Sequence, residues 1–579
     1  LALVEGWKSV NTDPSNFSAH RFLSDSYAAR PRHEIARVSE LLQSQLLQPI
    51  NTTAIQPRLA ESNLFLISAG GPAALSFNEF NPLFNRNGVN FQTSGFGGGN
   101  GTWSGEGIVS GIYEKASFSV GYNHFETDGW RNNSDQDDDL ANAFVQMEVS
   151  PETHIQAEFR YRSTKKGDTA LRFFKDDFLP NQRQEDETTS VRLGFHHGFS
   201  PSSDLIGNFS YQNADRQLRD QPDDPILRSF DLRGEDGAYG SELQYLFRSD
   251  SINLVSGAGY FHIDGKDDIN TELTLPFSPD IILSQTTVDL DADHANVYLY
   301  SYINLLKNLT VTLGGSGDFF SADDELIKDQ NQFNPKVGIT WNPFLSTTIR
   351  GAAFRVLKRT LITDQTVEPT QVAGFNQFFD EINTTDYWVY GGAIDQKFTE
   401  NIYAGAQYTY RDLNVPFTAF TGPVPELVDA QWDENKFRAY LFWTPQEWLA
   451  LSAEWLWERL DRDKDFNLNV KTVETNYVPL GINFFHPSGL SASLKGTYVD
   501  QQGSFNRLNA PLGVTEKGQD NFWLFDLAIK YRLPKRYGIL TVGVSNLFDE
   551  EFQHFDSDID NPRIQPDRSL FASFTLALP

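Results

Sequence analysis

Cysteine is absent from all 579 residues. That excludes a disulfide framework, a thiolate metal site and a cysteine nucleophile, and it suits an exported chain that crosses an oxidising compartment unfolded. Positive charge is scarce: 47 Lys and Arg stand against 77 Asp and Glu, a net charge of −30, which is the opposite of what a nucleic-acid binder needs. Long apolar runs are missing too. No stretch of about 18 apolar residues is present to span a bilayer as a helix, and mean hydropathy is −0.42. A closed barrel escapes this exclusion, because its strands carry apolar residues at alternate positions and score as polar on average. No Walker loop, HExxH, GxSxG or dinucleotide fingerprint occurs, so no catalytic constellation can be assembled and no enzyme is expected. The chain starts at Leu1 without a basic and then apolar leader, so any signal peptide is expected to lie upstream or to have been removed.

What is present is alternation. From Gly88 to Leu578, runs of roughly ten residues with period two are separated by turns. In His154 to Arg162 one face reads Ile155, Ala157, Phe159, Tyr161 and the other Gln156, Glu158, Arg160, Arg162. In Asn401 to Arg411 an apolar face ends in Tyr408 and Tyr410, and in Trp448 to Glu458 another ends in Trp455 and Trp457. Short connections, such as Tyr113 to Ala116, Ser150 to Thr153 and Asn342 to Ser346, alternate with long ones, such as Lys165 to Thr188, Leu218 to Gly237, Gly265 to Ala295, Arg359 to Asp386 and Leu413 to Asn435. Membrane barrels show this alternation between their periplasmic and outer sides. Ten short turns and eleven long loops join twenty-two strands, the first about Gly88 to Gly95 and the last Leu570 to Leu578. The expected fold is therefore all-β, a transmembrane antiparallel barrel over 88–579, with an even strand number that lets first and last strands pair.

Each face of such a barrel carries its own candidates. Glu158, Arg160, Arg162, Arg192, Glu454, Lys530 and Arg532 are expected to line the lumen, either as a solute path or simply because a barrel interior is polar. Tyr161, Tyr408, Tyr410, Trp455, Trp457 and Tyr531 are expected in an aromatic girdle at the lipid boundary. Acidic groups at Asp135, Asp137, Asp138, Asp139 and at Asp323, Asp324, Glu325 read as solvated outer loops, with divalent bridging to lipopolysaccharide as the sharper reading. Asp556, Asp558 and Asp560 have part of the spacing of a calcium loop, but Asn561 stands where such a loop needs Gly and no helices are expected to flank it. His196 and His197 are neighbours in a strand and point to opposite faces, so they cannot chelate one ion.

The N-terminal part differs in kind. Pro14 and Ser15 precede a helical run with Phe17, Phe22, Leu23 and Tyr27, and Pro31 opens a second with Ile35, Val38, Leu41, Leu42 and Leu46. Residues 1–48 are thus expected to form a periplasmic α-hairpin. Residues 49–87 carry Leu64, Phe65, Leu66, Ile67, Phe77, Phe80, Leu83 and Phe84 without periodicity, and they read as a linker or a segment that occludes the lumen.

Three stretches resemble known families. The closing hairpin, Gly543-Val544-Ser545-Asn546-Leu547-Phe548-Asp549-Glu550 followed by Ser569 to Leu578, resembles the C-terminal end of TonB-dependent outer-membrane receptors. That resemblance implies a twenty-two-stranded barrel and energised uptake. It departs from the family in having 87 largely helical residues where a larger plug and a TonB-contacting box are usual, and in ending on Leu578-Pro579 in place of an aromatic. The segment Asp13 to Leu23 with Tyr27, Ala36 and Leu42 resembles one tetratricopeptide repeat, which implies further repeats ahead of Leu1 because a lone repeat is unstable. Repeats leading into a barrel are similar to the layout of exopolysaccharide export porins. The expected function is passage of a solute or polymer through a gated barrel without chemistry or resident cofactor. The alternatives are a structural anchor joining a periplasmic scaffold to a surface assembly, and a TonB-dependent uptake receptor. Expected partners are outer-membrane lipid, lipopolysaccharide and a periplasmic or surface protein.

Overall fold

A strand with one apolar and one polar face needs two different surroundings, and a closed sheet supplies them as lipid outside and a wet lumen inside. The computed structural model of the chain describes residues 2–27, 34–52, 87–222, 227–274, 281–323, 327–359, 361–378, 382–419, 426–463, 470–508, 514–556, 564 and 566–578. Helices α1 (Ala2–Thr12), α2 (Phe17–Tyr27) and α3 (Glu34–Leu47) come first. Strands β1 to β6 are Gly88–Gly97, Trp103–Tyr113, Ala116–Thr127, Gln136–Ser150, Thr153–Lys166 and Arg183–Ser200. Strands β7 to β13 are Ser203–Asp220, Leu227–Arg248, Ile252–Thr274, Ile281–Leu306, Leu309–Ala322, Gln330–Phe344 and Thr347–Leu357. A two-residue hairpin, β14 (Gln371–Val372) and β15 (Phe375–Asn376), interrupts the series. Strands β16 to β20 are Asp386–Thr399, Ile402–Ala419, Glu426–Gln446, Leu449–Arg462 and Val470–Phe485. Strands β21 to β24 are Leu490–Asn506, Thr515–Arg532, Gly538–Ser545 and Ser569–Leu578.

Apart from the small hairpin, every strand pairs antiparallel with its neighbours in sequence, and β1 pairs with β24 from Phe91↔Leu578 to Gly97↔Ala572. This closes a 22-stranded barrel and leaves no open edge. The faces divide as alternation requires. In β5 the side chains of His154, Gln156, Glu158 and Arg160 are buried, while Ile155 and Phe159 are exposed to the exterior. The barrel is apolar outside and polar inside, the reverse of a soluble core.

The loops on one side are shorter than the sequence pattern suggests. The segments 218–237, 265–295 and 413–435, read as long loops, are largely ladder: β7 runs to Asp220, β8 starts at Leu227, β9 runs to Thr274 and β17 to Ala419. β10 has 26 residues, which at ~3.4 Å per residue and a ~45° tilt rises about 60 Å, twice the ~30 Å hydrocarbon layer. Beyond the membrane both faces of a strand meet water, so the apolar alternation ends while the backbone ladder continues. Asp137, Asp138 and Asp139 are corrected in the same way: they belong to β4 rather than a loop, with Asp138 buried inward and Asp137 and Asp139 on the outer face. Asp324 and Glu325 lie outside the described residues.

Candidate transport lumen and its plug

The first helices form through local signals and then need somewhere to bury an apolar face. Asn16 caps α2, its Oδ1 accepting from the Ala19 backbone N–H at 3.1 Å. Gly6 in α1 lets Leu23 of α2 come close: a Cβ there would stand 3.3 Å from the Leu23 Cα. α2 and α3 are tied by His20, whose Nδ1 meets the Glu40 carboxylate at 2.5 Å and whose Nε2 lies 2.9 Å from the Pro14 carbonyl. Burial disfavours the imidazolium, but the Glu40 charge and hydrogen bond together with the Pro14 carbonyl outweigh it, and His20 titrates above its ordinary value.

These helices sit inside the barrel at its short-turn end. The Lys8 ammonium donates to Thr348 at 2.8 Å, Asn253 donates to the Asn11 carbonyl at 2.9 Å, and Gln48 donates to Gln146 at 3.1 Å. Arg192 donates to the Gln45 side-chain oxygen at 3.0 Å and Gln156 to the Gln45 carbonyl, also at 3.0 Å. Trp7, Leu23, Tyr27, Leu42 and Leu46 share one apolar cluster with wall residues such as Ile206, Leu246 and Val255. Leu46 rests on the bare backbone of Gly194, where a Cβ would be 2.6 Å from the leucine Cδ2. The expectation of a tetratricopeptide-like hairpin is thereby corrected: the described residues form three helices, and these pack against the lumen wall at the short-turn end instead of stacking as a repeat. A lone helix pair cannot bury its apolar stripe by stacking, and the lumen wall supplies the missing partner. The side chains of Ile35 and Val38 lie outside the described residues, as does the apolar part of the 49–87 segment.

From the opposite side the described residues of the loop 358–385 fold inward to meet the helices. Val367, Val372, Ala373 and Phe375 are fully buried. Glu368 accepts from the Tyr300 hydroxyl, Asn296 and Arg359, each at 2.9 Å, and Lys336 donates to Gln377 at 2.9 Å. Two inward-facing glycines make room for the loop: a Cβ on Gly391 would enter the Phe375 ring at 2.3 Å, and one on Gly338 would lie 2.9 Å from Ala373. Loop and helices touch where the Tyr27 hydroxyl donates to Asn376 at 2.8 Å. Gly374 at the hairpin tip, with φ of +79°, brings the backbone beside Trp7. The other half of the outer mouth is covered by residues 167–182 and 546–556. Phe173 stacks on Phe505 at 4.4 Å, and Gln501 hydrogen-bonds both the N–H (2.7 Å) and carbonyl (2.9 Å) of Phe555.

Two recesses lie along the wall formed by β16 to β21. The larger lies between the α1–α2 surface at Trp7 and Tyr27 and the wall residues Arg350, Arg411, Lys436 and Arg438. The smaller lies toward the outer mouth under His554, Phe555 and Asp556. Both are lined by Glu434, Leu456 and Glu458, so they meet at one stretch of wall. The polar groups there are paired, Arg411 with Glu434 at 2.5 Å and Arg438 with Glu454 at 2.7 Å.

The lumen candidates all carry inward parity. Glu158 joins Arg160 (3.0 Å) and Arg192 (2.6 Å), and Arg162 joins Asp138 (2.7 Å). Glu454 borders the recess side, Lys530 is half-buried, and Arg532 is exposed beside the short turn. Through Gln45, Arg192 and its partner Glu158 hold α3, a role sequence alternation could not show. The girdle candidates face outward. Tyr408 donates to Asn435 at 2.6 Å, Trp455 to Asn476 at 3.0 Å and Trp457 to Glu474 at 2.9 Å, while Tyr410 donates to Asp433. Each ring thus has an apolar body with its polar tip tied to the next strand, the arrangement suited to a membrane boundary. Tyr161 and Tyr531 share the outward parity. Asp556 is buried at the smaller recess, and Asp558 and Asp560 lie outside the described residues. His196 pairs with Asp204 and His197 with Thr153, on opposite faces. The signal that sequence reading missed is glycine at inward positions of strands, which marks where helices and loops approach the wall.

No family model matches the chain, and no curated protein matches it. Solved structures do. The pyoverdine outer-membrane receptor FpvA of Pseudomonas aeruginosa matches with a TM-score of 0.64 at 11% identity over 85% of this chain and 79% of its own. The copper transporter OprC matches at 0.65, with 13% identity over 86% and 82%. The FrpB iron transporter of Neisseria meningitidis matches at 0.64, with 14% identity over 85% and 82%. At these identities the likeness is one of fold: the chain has the 22-stranded outer-membrane barrel of these receptors and transporters.

Proposed function

We propose that the chain is a gated outer-membrane transporter of the TonB-dependent kind, in which helices α1 to α3 act as the movable plug. The observation that carries this reading is a lumen occupied by the chain's own N-terminal helices and an inward loop, joined to the wall by one apolar cluster and by a ring of polar contacts around it. Amide and charged contacts can be exchanged for water one at a time, so such a plug can be displaced without unfolding the barrel. The two joined recesses mark the side on which a path opens. The structures it resembles carry names of receptors and transporters for pyoverdine, copper and iron, which favours a small solute, free or chelated, over a polymer.

Single-channel recordings on the whole chain and on a form starting at Gly88 test the plug. Larger conductance of the shortened form supports it, and equal conductance shows that the lumen is closed by something else. Uptake in intact cells that stops when membrane energy is removed supports the TonB coupling, whereas energy-independent passage favours a passive pore.

A further inference from the structure

The outer face of the β3–β4 hairpin carries a histidine and three carboxylates that the transport reading does not use. His124 is the ninth residue of β3 counted from its short turn, and a spanning strand takes about 9–11 residues. The cluster therefore sits where hydrocarbon gives way to headgroups. Glu126 stands directly opposite Asp137 in the register and His124 opposite Asp139. Two like charges directly opposed are unfavourable unless a cation lies between them. Lys165 on β5 pairs in register with Asp137 on its other side, which leaves one cation for three carboxylates.

We propose that His124, Glu126 and Asp137 form a binding site for a divalent transition-metal ion of the zinc type. The three residues offer ligand atoms that all lie within 4.8 Å of one another. Tetrahedral ligands at about 2.1 Å from zinc are about 3.4 Å apart, so closure asks for a small rotation of two partly exposed carboxylates. The imidazole is already aimed. Its Nδ1 is 2.8 Å from the Asp139 carboxylate, which also accepts from the Tyr122 hydroxyl. That contact places the proton on Nδ1 and leaves Nε2 as the lone-pair atom, 4.0 Å from Glu126. A carboxylate that orients a histidine from behind is the usual support of a zinc ligand. Trp103 donates to one Glu126 oxygen at 2.8 Å and packs at a tilt against His124, ring centroids 4.5 Å apart, which steadies both ligands. One imidazole with two carboxylates suits zinc better than calcium, which wants six or more oxygens. A second cluster, His262 with Asp291 and Asp293, repeats the aspartate behind Nδ1, with Tyr260 donating to Asp293, but both of its acids approach Nδ1 and neither is placed beside Nε2 as Glu126 is beside His124.

Titration calorimetry of the purified whole chain in detergent with Zn²⁺ alone tests the site. One equivalent is expected to bind saturably, and Co²⁺ in its place should give the visible absorption of a tetrahedral site. His124→Gln and Asp137→Asn should each abolish that equivalent. Asp139→Asn, which only orients the imidazole, should weaken it about 10- to 100-fold. Asp291→Asn should leave it unchanged. All four side chains face outward, and unchanged heat-modifiable migration on gels verifies the barrel. Absence of saturable binding, or binding that survives both ligand substitutions, overturns the proposal, as does loss with Asp291→Asn.

Discussion

Gly194 offers the most direct way to unseat the plug from the wall side. In Gly194→Val the new Cβ would stand 2.6 Å from the Leu46 Cδ2 and 2.8 Å from the Gln156 Cγ. Leu46 is completely buried, so its methyl group cannot swing away, and Gln156 is held by its bond to the Gln45 carbonyl. α3 must then lift. Lifting exposes Leu46, at about 1.5–3 kcal/mol, and gives up the two hydrogen bonds at Gln45, at about 1 kcal/mol each. Partial relief by wall movement brings the net to about 3 kcal/mol, or roughly a hundredfold in occupancy of the seated plug. The strand itself gains from a β-branched residue, so the barrel should still assemble. Planar-bilayer recordings should show open bursts that the parent chain lacks, and hydrogen exchange should show faster amides at Leu42 to Leu47. Gly392→Val is the control, because a Cβ there meets open space. A silent channel with parental amide protection in Gly194→Val would refute the idea that α3 seals the lumen by resting on that glycine.

On the lipid face, Ala453→Arg, at the fifth residue of β19 and so near the midplane, should destabilise the barrel by roughly 2–4 kcal/mol. Thr475→Arg, which faces the recess directly opposite Glu458, should be tolerated; denaturant titration in lipid compares them, and equal losses would contradict the sidedness. For His20 the folded value is raised, so its pairing with Glu40 stabilises the α2–α3 contact fully below about pH 6.5, and this contribution is lost as pH rises through the raised value. Hydrogen exchange in α2 should therefore quicken on the alkaline side, and His20→Gln should remove the pH dependence. A peptide tag placed within 557–560 should be labelled on intact cells, whereas one between Pro534 and Gly538 should not, and the reverse pattern would invert the barrel.

Membrane placement and strand count were legible in the amino-acid order because a barrel strand is a local object. Its two faces meet lipid and lumen whatever the other strands do, so alternation such as that at His154 to Arg162 and the regular short turns sufficed for twenty-two strands and for the outward parity of Tyr408 and Trp455. The extent of β8, β9 and β10 was not legible, since above the membrane the ladder persists through backbone hydrogen bonds that leave no hydropathy trace. Nor was the plug. The helical periodicity of Phe17 to Tyr27 identifies a helix with an apolar stripe but is silent on what covers it, and a stacked repeat was as consistent as a helix against the barrel wall. Only the closed barrel decides between them, by setting Gly194 under Leu46, Arg192 against Gln45 and Asn376 against Tyr27. These partners lie about 150 to 350 residues apart in sequence, and no local pattern encodes a contact that exists only once the sheet has curved round to meet its own first strand.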